Sequence, residues 1–101
     1  GKNKGIDIAG KLGEPIQAAS DGKVVYAGNS LRGYGNLVIV KHDNTYLTAY
    51  AHNRSLLVKE GDSVRKGQRI AEMGDSDANM VKLHFEVRVN GKPVNPIQFL
   101  Q

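Results

Sequence analysis

At 101 residues the chain can bury about two thirds of its unfolded surface around one core and no more, so it is read as a single domain over residues 1–101. It has no cysteine, which excludes disulfides and thiolate metal sites, and no apolar run approaches the ~20 residues of a membrane-crossing helix. The net charge of +4 suits an acidic partner, nucleic acid or an anionic envelope polymer, and equally a soluble surface that is simply basic; the few aromatics are not interleaved with the lysines, which argues against nucleic acid.

The chain opens on Gly1-Lys2-Asn3-Lys4 with no signal peptide, and reads as a piece cut from a longer protein whose export signal or membrane anchor lies elsewhere. Glycines punctuate short stretches of valine, isoleucine, leucine and tyrosine. Taken in chain order, these predict strands at 5–9, 16–18, 22–27, 36–42, 45–52, 68–73 and 82–89. Helical periodicity is absent and the strands are evenly spaced, so the fold class is all-β. Asp43-Asn44 joins two strong strands into a hairpin. Asn90-Gly91 closes the last strand with residues that tolerate positive φ, and Pro93 and Pro96 keep the tail out of a central strand. Residues 72–81 are polar and glycine-flanked and read as a rim.

Alternation sorts the side chains. In 82–89, Leu83, Phe85, Val87 and Val89 form a core row, while Lys82, His84, Glu86 and Arg88 point the other way. In 45–52, Tyr46, Thr48, Tyr50 and His52 share one face and Leu47, Ala49 and Ala51 the other, with His52 at the strand end. A lone histidine is usually structural; here His52, His84 and Asp7 all fall on polar faces or strand ends.

Four stretches carry a family signal: Asn3-Lys4-Gly5-Ile6-Asp7-Ile8-Ala9, Gly33-Tyr34-Gly35-Asn36 before Val38-Ile39-Val40, Tyr50-Ala51-His52, and Lys82-Leu83-His84-Phe85-Glu86-Val87. In this order and spacing they resemble the LytM domain, the lysostaphin-like M23 zinc peptidase family, over nearly the whole chain. The resemblance implies that family's duplicated β architecture, with antiparallel sheets around a central groove. Active members read His-x-x-x-Asp in the first stretch, both residues binding zinc. They read His-x-His in the last, where the second histidine is the third ligand and the first assists catalysis; the histidine after Tyr-x is the other catalytic residue.

Carried onto this chain, Asp7 and His84 are retained ligand positions and His52 a retained catalytic position. Asn3 stands where a ligand is expected and Lys82 where a catalytic histidine is expected. An amide oxygen suits hard calcium-like ions better than zinc, and an ammonium has no lone pair and repels a cation. The expectation is therefore a domain with no cofactor, no zinc and no peptidase activity of its own.

Within the family, Gly1-Lys2-Asn3-Lys4-Gly5-Ile6-Asp7-Ile8-Ala9-Gly10, the run from Tyr26 to Asn36 and Ala49-Tyr50-Ala51-His52-Asn53 resemble the degenerate NlpD type. That resemblance implies an envelope lipoprotein, periplasmic and anchored in the outer membrane through a segment outside this chain. It implies activation of an N-acetylmuramoyl-L-alanine amidase of the AmiC class during septal peptidoglycan splitting in cell division. The old cleft would then be a docking groove: Asp7, His52 and His84 offer hydrogen bonds, Lys82 and Arg32 positive charge, Tyr34 and Tyr50 stacking area.

Alternatives are a residual zinc endopeptidase acting on peptidoglycan cross-links, with His52 borrowed beside Asp7 and His84, and a peptidoglycan-binding module. Residues 58–71 also resemble half of a biotinyl or lipoyl carrier domain, but Glu72-Met73-Gly74 puts no lysine at the expected turn. That likeness is read as architecture shared with the LytM fold.

Overall fold

The period-two alternation of Lys82–Val89 makes a strand that is apolar on one side and charged on the other, and the rest of the sheet is arranged around it. The computed structural model describes residues 4–99. Their strands are β1 Ile6–Ala9, β2 Pro15–Gln17, β3 Gly22–Gly28, β4 Asn36–Lys41, β5 Tyr46–Leu56, β6 Ser63–Val64, β7 Arg69–Met73, β8 Lys82–Val89 and β9 Lys92–Val94, followed by a 3-10 turn at Pro96–Phe99. The all-β expectation holds.

All the pairings are antiparallel, and the main path runs β1-β8-β5-β4-β3-β6. β5 is long enough to serve two neighbours along one edge. Its first half pairs with β8, Tyr46 opposite Val89 through Ala51 opposite His84, and its second half pairs with β7. β1 and β9 lie end to end along the far edge of β8. Pro93 accordingly sits in a short edge strand, where its missing N–H leaves no central ladder broken.

The turns follow their chemistry. Asp43 Oδ1 accepts the backbone N–H groups of Thr45 and Tyr46, both at 2.8 Å, and closes the β4–β5 hairpin. Asn90 and Gly91 have φ of 52° and 80°, both positive as a type I′ hairpin turn requires.

Two apolar clusters lie on opposite faces of the sheet. The larger includes Val24, Val38, Val40, Tyr50, Ile70, Phe85 and Val87. The smaller centres on Leu37, Ala49 and Ala51, with Tyr26, Tyr34 and Ile39 against it.

Three expectations need correction. β6 and β9, two and three residues long, are too short to show an alternation and were not expected. β5 does not end at His52 but continues to Leu56, because its second half finds a separate partner in β7. The expected facial alternation of that strand also fails at His52. Val38 pairs with Tyr50, yet Asn36 pairs with Asn53, so β5 carries one extra residue there, a β-bulge. His52 has φ of 68°, in the left-handed region, which turns its ring off the Tyr50 face.

Candidate functional site: a charged chain across β1 and β8

The register places Asp7 of β1 directly opposite His84 of β8. Asp7 Oδ1 accepts from His84 Nδ1 at 2.6 Å, and Asp7 Oδ2 accepts from Lys82 Nζ at 3.1 Å. The other ring nitrogen of His84 lies 2.8 Å from Glu86 Oε2. Arg88 Nη2 lies 2.8 Å from Glu86 Oε1, and the Tyr34 hydroxyl donates to Glu86 Oε2 at 3.0 Å. Every second residue of β8 thus enters one chain of opposite charges, Lys82, Asp7, His84, Glu86 and Arg88, with Tyr34 reaching in from the loop before β4.

Electrostatics follow from this geometry. Both ring nitrogens of His84 face carboxylates, and carboxylates only accept, so the ring is the doubly protonated imidazolium. The hydrogen bond to Glu86 is the largest influence raising its pKa; partial burial opposes it and Asp7 adds to it. Glu86 is 1 % exposed, and burial alone would raise its pKa. Hydrogen bonds from His84, Arg88 and Tyr34 outweigh that and bring it down to about 2. Burial also pushes Asp7 upward, but His84 and Lys82 prevail and hold it below the usual carboxylate value. Burial followed by the Glu86 contact raises the Tyr34 phenol.

His52 approaches this charged chain from β5. It is buried, its backbone N–H donates to the Tyr34 carbonyl at 2.8 Å, and its ring centroid stands 6.1 Å from that of His84. Its Nδ1 lies 2.8 Å from the Ser76 carbonyl oxygen, which only accepts, so Nδ1 is the donor.

The loops on either side are fastened together. Ser76 Oγ accepts the Asn36 N–H at 3.0 Å and donates to the Asn53 carbonyl at 2.6 Å, and Asp77 Oδ2 accepts the Gly33 N–H at 2.6 Å. Gly35 is required where these loops meet: its φ is +61°, and a Cβ there would stand 2.3 Å from the Ser76 carbonyl oxygen. Beside the chain lies a cavity of about 260 Å³, lined by Leu31, Tyr34, Leu37, Ile39, Glu86 and Arg88 among others.

The structure brings Asp7, His52, Lys82, His84 and Tyr34 together. Asn3 lies outside the described residues. Arg32 is exposed on the neighbouring loop and makes no hydrogen bond or ion pair among the described residues. Tyr50 does not belong to the cleft. It is 1 % exposed, packs on Phe85 at 5.5 Å between ring centroids, and spends its hydroxyl on Thr48 and the Ala19 N–H. Alternation puts Tyr50 on the opposite face from His84, and only the bulge moves His52 across.

Glu86, Arg88 and Ser76 are site residues that the motifs did not single out. The polar row of β8 already contained the first two; nothing local marks Ser76.

A zinc ion at the position implied by the family resemblance would need lone pairs from Asp7 and His84. Here His84 Nδ1 donates a proton to Asp7, and the second Asp7 oxygen holds an ammonium. Among the described residues no group of three His, Cys, Asp or Glu side chains is placed to hold a metal ion. As arranged, these groups do not fit zinc.

Known proteins supply the comparison. The profile of peptidase family M23 matches residues 1–96. The lipoprotein NlpD/LppB homolog of Pseudomonas aeruginosa is 65 % identical over 98 residues, which cover 97 % of this chain and 33 % of that protein. The murein hydrolase activator NlpD of Escherichia coli is 58 % identical over 100 residues, covering 99 % of this chain and 26 % of that protein. The chain therefore spans about a third or less of these relatives.

Among solved structures, a putative M23 peptidase from Pseudomonas aeruginosa superposes with a TM-score of 0.92 at 29 % identity, covering 97 % of this chain and 43 % of that one. A zinc-containing peptidase from Vibrio cholerae gives a TM-score of 0.87 at 36 % identity, covering 91 % and 28 %. With the family profile spanning nearly its whole length, the chain belongs to peptidase family M23, as an NlpD-type LytM-like domain.

Proposed function

We propose that this chain is a non-catalytic M23 domain that activates a peptidoglycan hydrolase, in particular an N-acetylmuramoyl-L-alanine amidase of the AmiC class, during septal wall splitting. The observation that carries the reading is the engagement of Asp7 by Lys82 and His84 where a hydrolytic metal would need open ligands. Catalytic zinc keeps three protein ligands and one open position. This cleft offers instead a charged chain, an apolar cavity beside it and an exposed arginine at its rim. Relatives named murein hydrolase activator support the direction of the proposal.

The chain works as one module of a longer envelope lipoprotein, in the periplasm and anchored to the outer membrane by a segment beyond it; relatives are named as lipoproteins. The cleft, with Asp7, His52, His84, Lys82, Tyr34 and Arg32, is the docking surface. An activator shifts the amidase toward its open state only if it binds that state more tightly, and a preference of about 1–3 kcal/mol gives roughly 5–150-fold stimulation.

The test is release of labelled fragments from purified sacculi by amidase alone, by this chain alone and by both. We expect release by the amidase to rise when the chain is added and none from the chain alone. Digestion by the chain alone, or no stimulation of any amidase, would overturn the reading.

A further inference from the structure

β1 is poorly anchored by ordinary means. It has four residues, three of them exposed, and among the described residues it pairs only with β8. Ile6 packs against the main core, but Ile8 is 40 % exposed. An edge strand this short and this wet is the kind of element that opens locally.

What β1 has in addition is Asp7, whose two carboxylate oxygens are both taken by β8, one by the ammonium of Lys82 and one by the ring of His84. Lys82 is itself well placed to hold. Its side chain is 20 % exposed, its backbone N–H donates to the Gly74 carbonyl at 3.1 Å, and its register partner is Ala9, the last residue of β1. His84 is held in turn by the buried Glu86.

We propose that Lys82 is the resident cation of this site: its ammonium binds Asp7 from β8 and tethers the edge strand β1 to the sheet with no need of a metal ion. A divalent ion coordinated by an aspartate on one strand and a histidine on the next would join the same two strands. Here the cation is built into the chain, so the joint is permanent and no added ion finds Asp7 free. The substitution that disfavours metal is then the one that keeps the cleft wall in place. The inference stands apart from amidase activation, since strand tethering is read on the chain alone.

The experiment is hydrogen–deuterium exchange of the chain in the presence of a chelator, followed at Ile6–Ala9 in β1 and at Ala49 and Ala51 in β5. Replacing Lys82→Gln, which removes the charge, should speed exchange in β1 about threefold or more and leave β5 unchanged. Lys82→Arg keeps a cation and should hold β1 within about twofold of the parent. Zinc chloride added to the parent chain should leave β1 exchange unchanged. The proposal fails if Lys82→Gln exchanges like the parent, or if β5 accelerates as much as β1, which would mean general loosening. It also fails if Lys82→Arg loosens β1 as much as Lys82→Gln does, or if zinc slows β1 exchange in the parent.

Discussion

The sheet carries a polar chain on each face, one along β8 and β1 and the other along β5, and the two are built on different principles. On the cleft face five charged side chains alternate, Lys82, Asp7, His84, Glu86 and Arg88. On the other face the chain is neutral: Ala19 N–H to Tyr50, Tyr50 to Thr48, Thr48 to His42 Nε2 at 2.7 Å, and His42 Nδ1 to the Asp21 carbonyl at 2.7 Å. A carbonyl only accepts, so Nδ1 of His42 bears a proton, and the hydroxyls then run donor to acceptor without a break.

The neutral chain satisfies polar atoms inside a core at little cost. The charged chain does not have that excuse, because desolvating ions commonly offsets much of their attraction, and apolar residues of similar size often serve stability as well. Net stability alone therefore does not account for the charge on this face; beyond the Lys82–Asp7 tether, it suits the docking surface proposed above.

Breaking each chain at its most buried member tests the contrast. The largest effect is expected at Glu86, which is 1 % exposed and answers His84, Arg88 and Tyr34 at once. Glu86→Ala should cost about 3–5 kcal/mol in urea unfolding, because it leaves partners buried and uncompensated. Tyr50→Phe removes one oxygen from the neutral chain, leaving the Ala19 N–H and the Thr48 hydroxyl short of a partner; a loss of about 1–3 kcal/mol is expected.

pH separates the two chains more gently. His84 has a raised pKa, so the stability it contributes is complete below its unfolded value of about 6.5 and is lost as pH rises through the folded value. Glu86 is lowered from 4.5 to about 2, so its contribution is present above 4.5 and is lost as pH falls toward 2. Thermal unfolding followed from pH 3 to pH 9 should show a plateau with a fall on each side. In His84→Gln the alkaline fall should be missing, and its persistence there would assign it elsewhere.

The smallest effect on stability, and a large one on function, is expected at Arg32. Being exposed and without ion pair or hydrogen bond among the described residues, Arg32→Glu should change unfolding by no more than about 0.5 kcal/mol. It should reduce amidase stimulation in the sacculus assay. Full stimulation by this variant would remove Arg32 from the docking surface.

The charged row of β8 was legible because alternation is a local property: Lys82, His84, Glu86 and Arg88 must share a face whatever lies around them. Tyr50 was misplaced for the converse reason. Simple alternation put it with His52, and the bulge that separates them depends on β4 pairing Asn36 with Asn53, which no residue of β5 announces. Ser76 and Asp77 escaped notice because their partners, Asn36, Asn53 and Gly33, lie on other loops.

The sequence by itself determined the longer strands, the turn residues and the identity of the side chains at the family's positions, because each of these is written within a few neighbouring residues. Only the tertiary structure decided which carboxylate each cation would meet and which face His52 would take. Lys82 and His84 reach Asp7 across 75 and 77 residues of chain, and contacts at that separation exist only once β1 has been laid against β8.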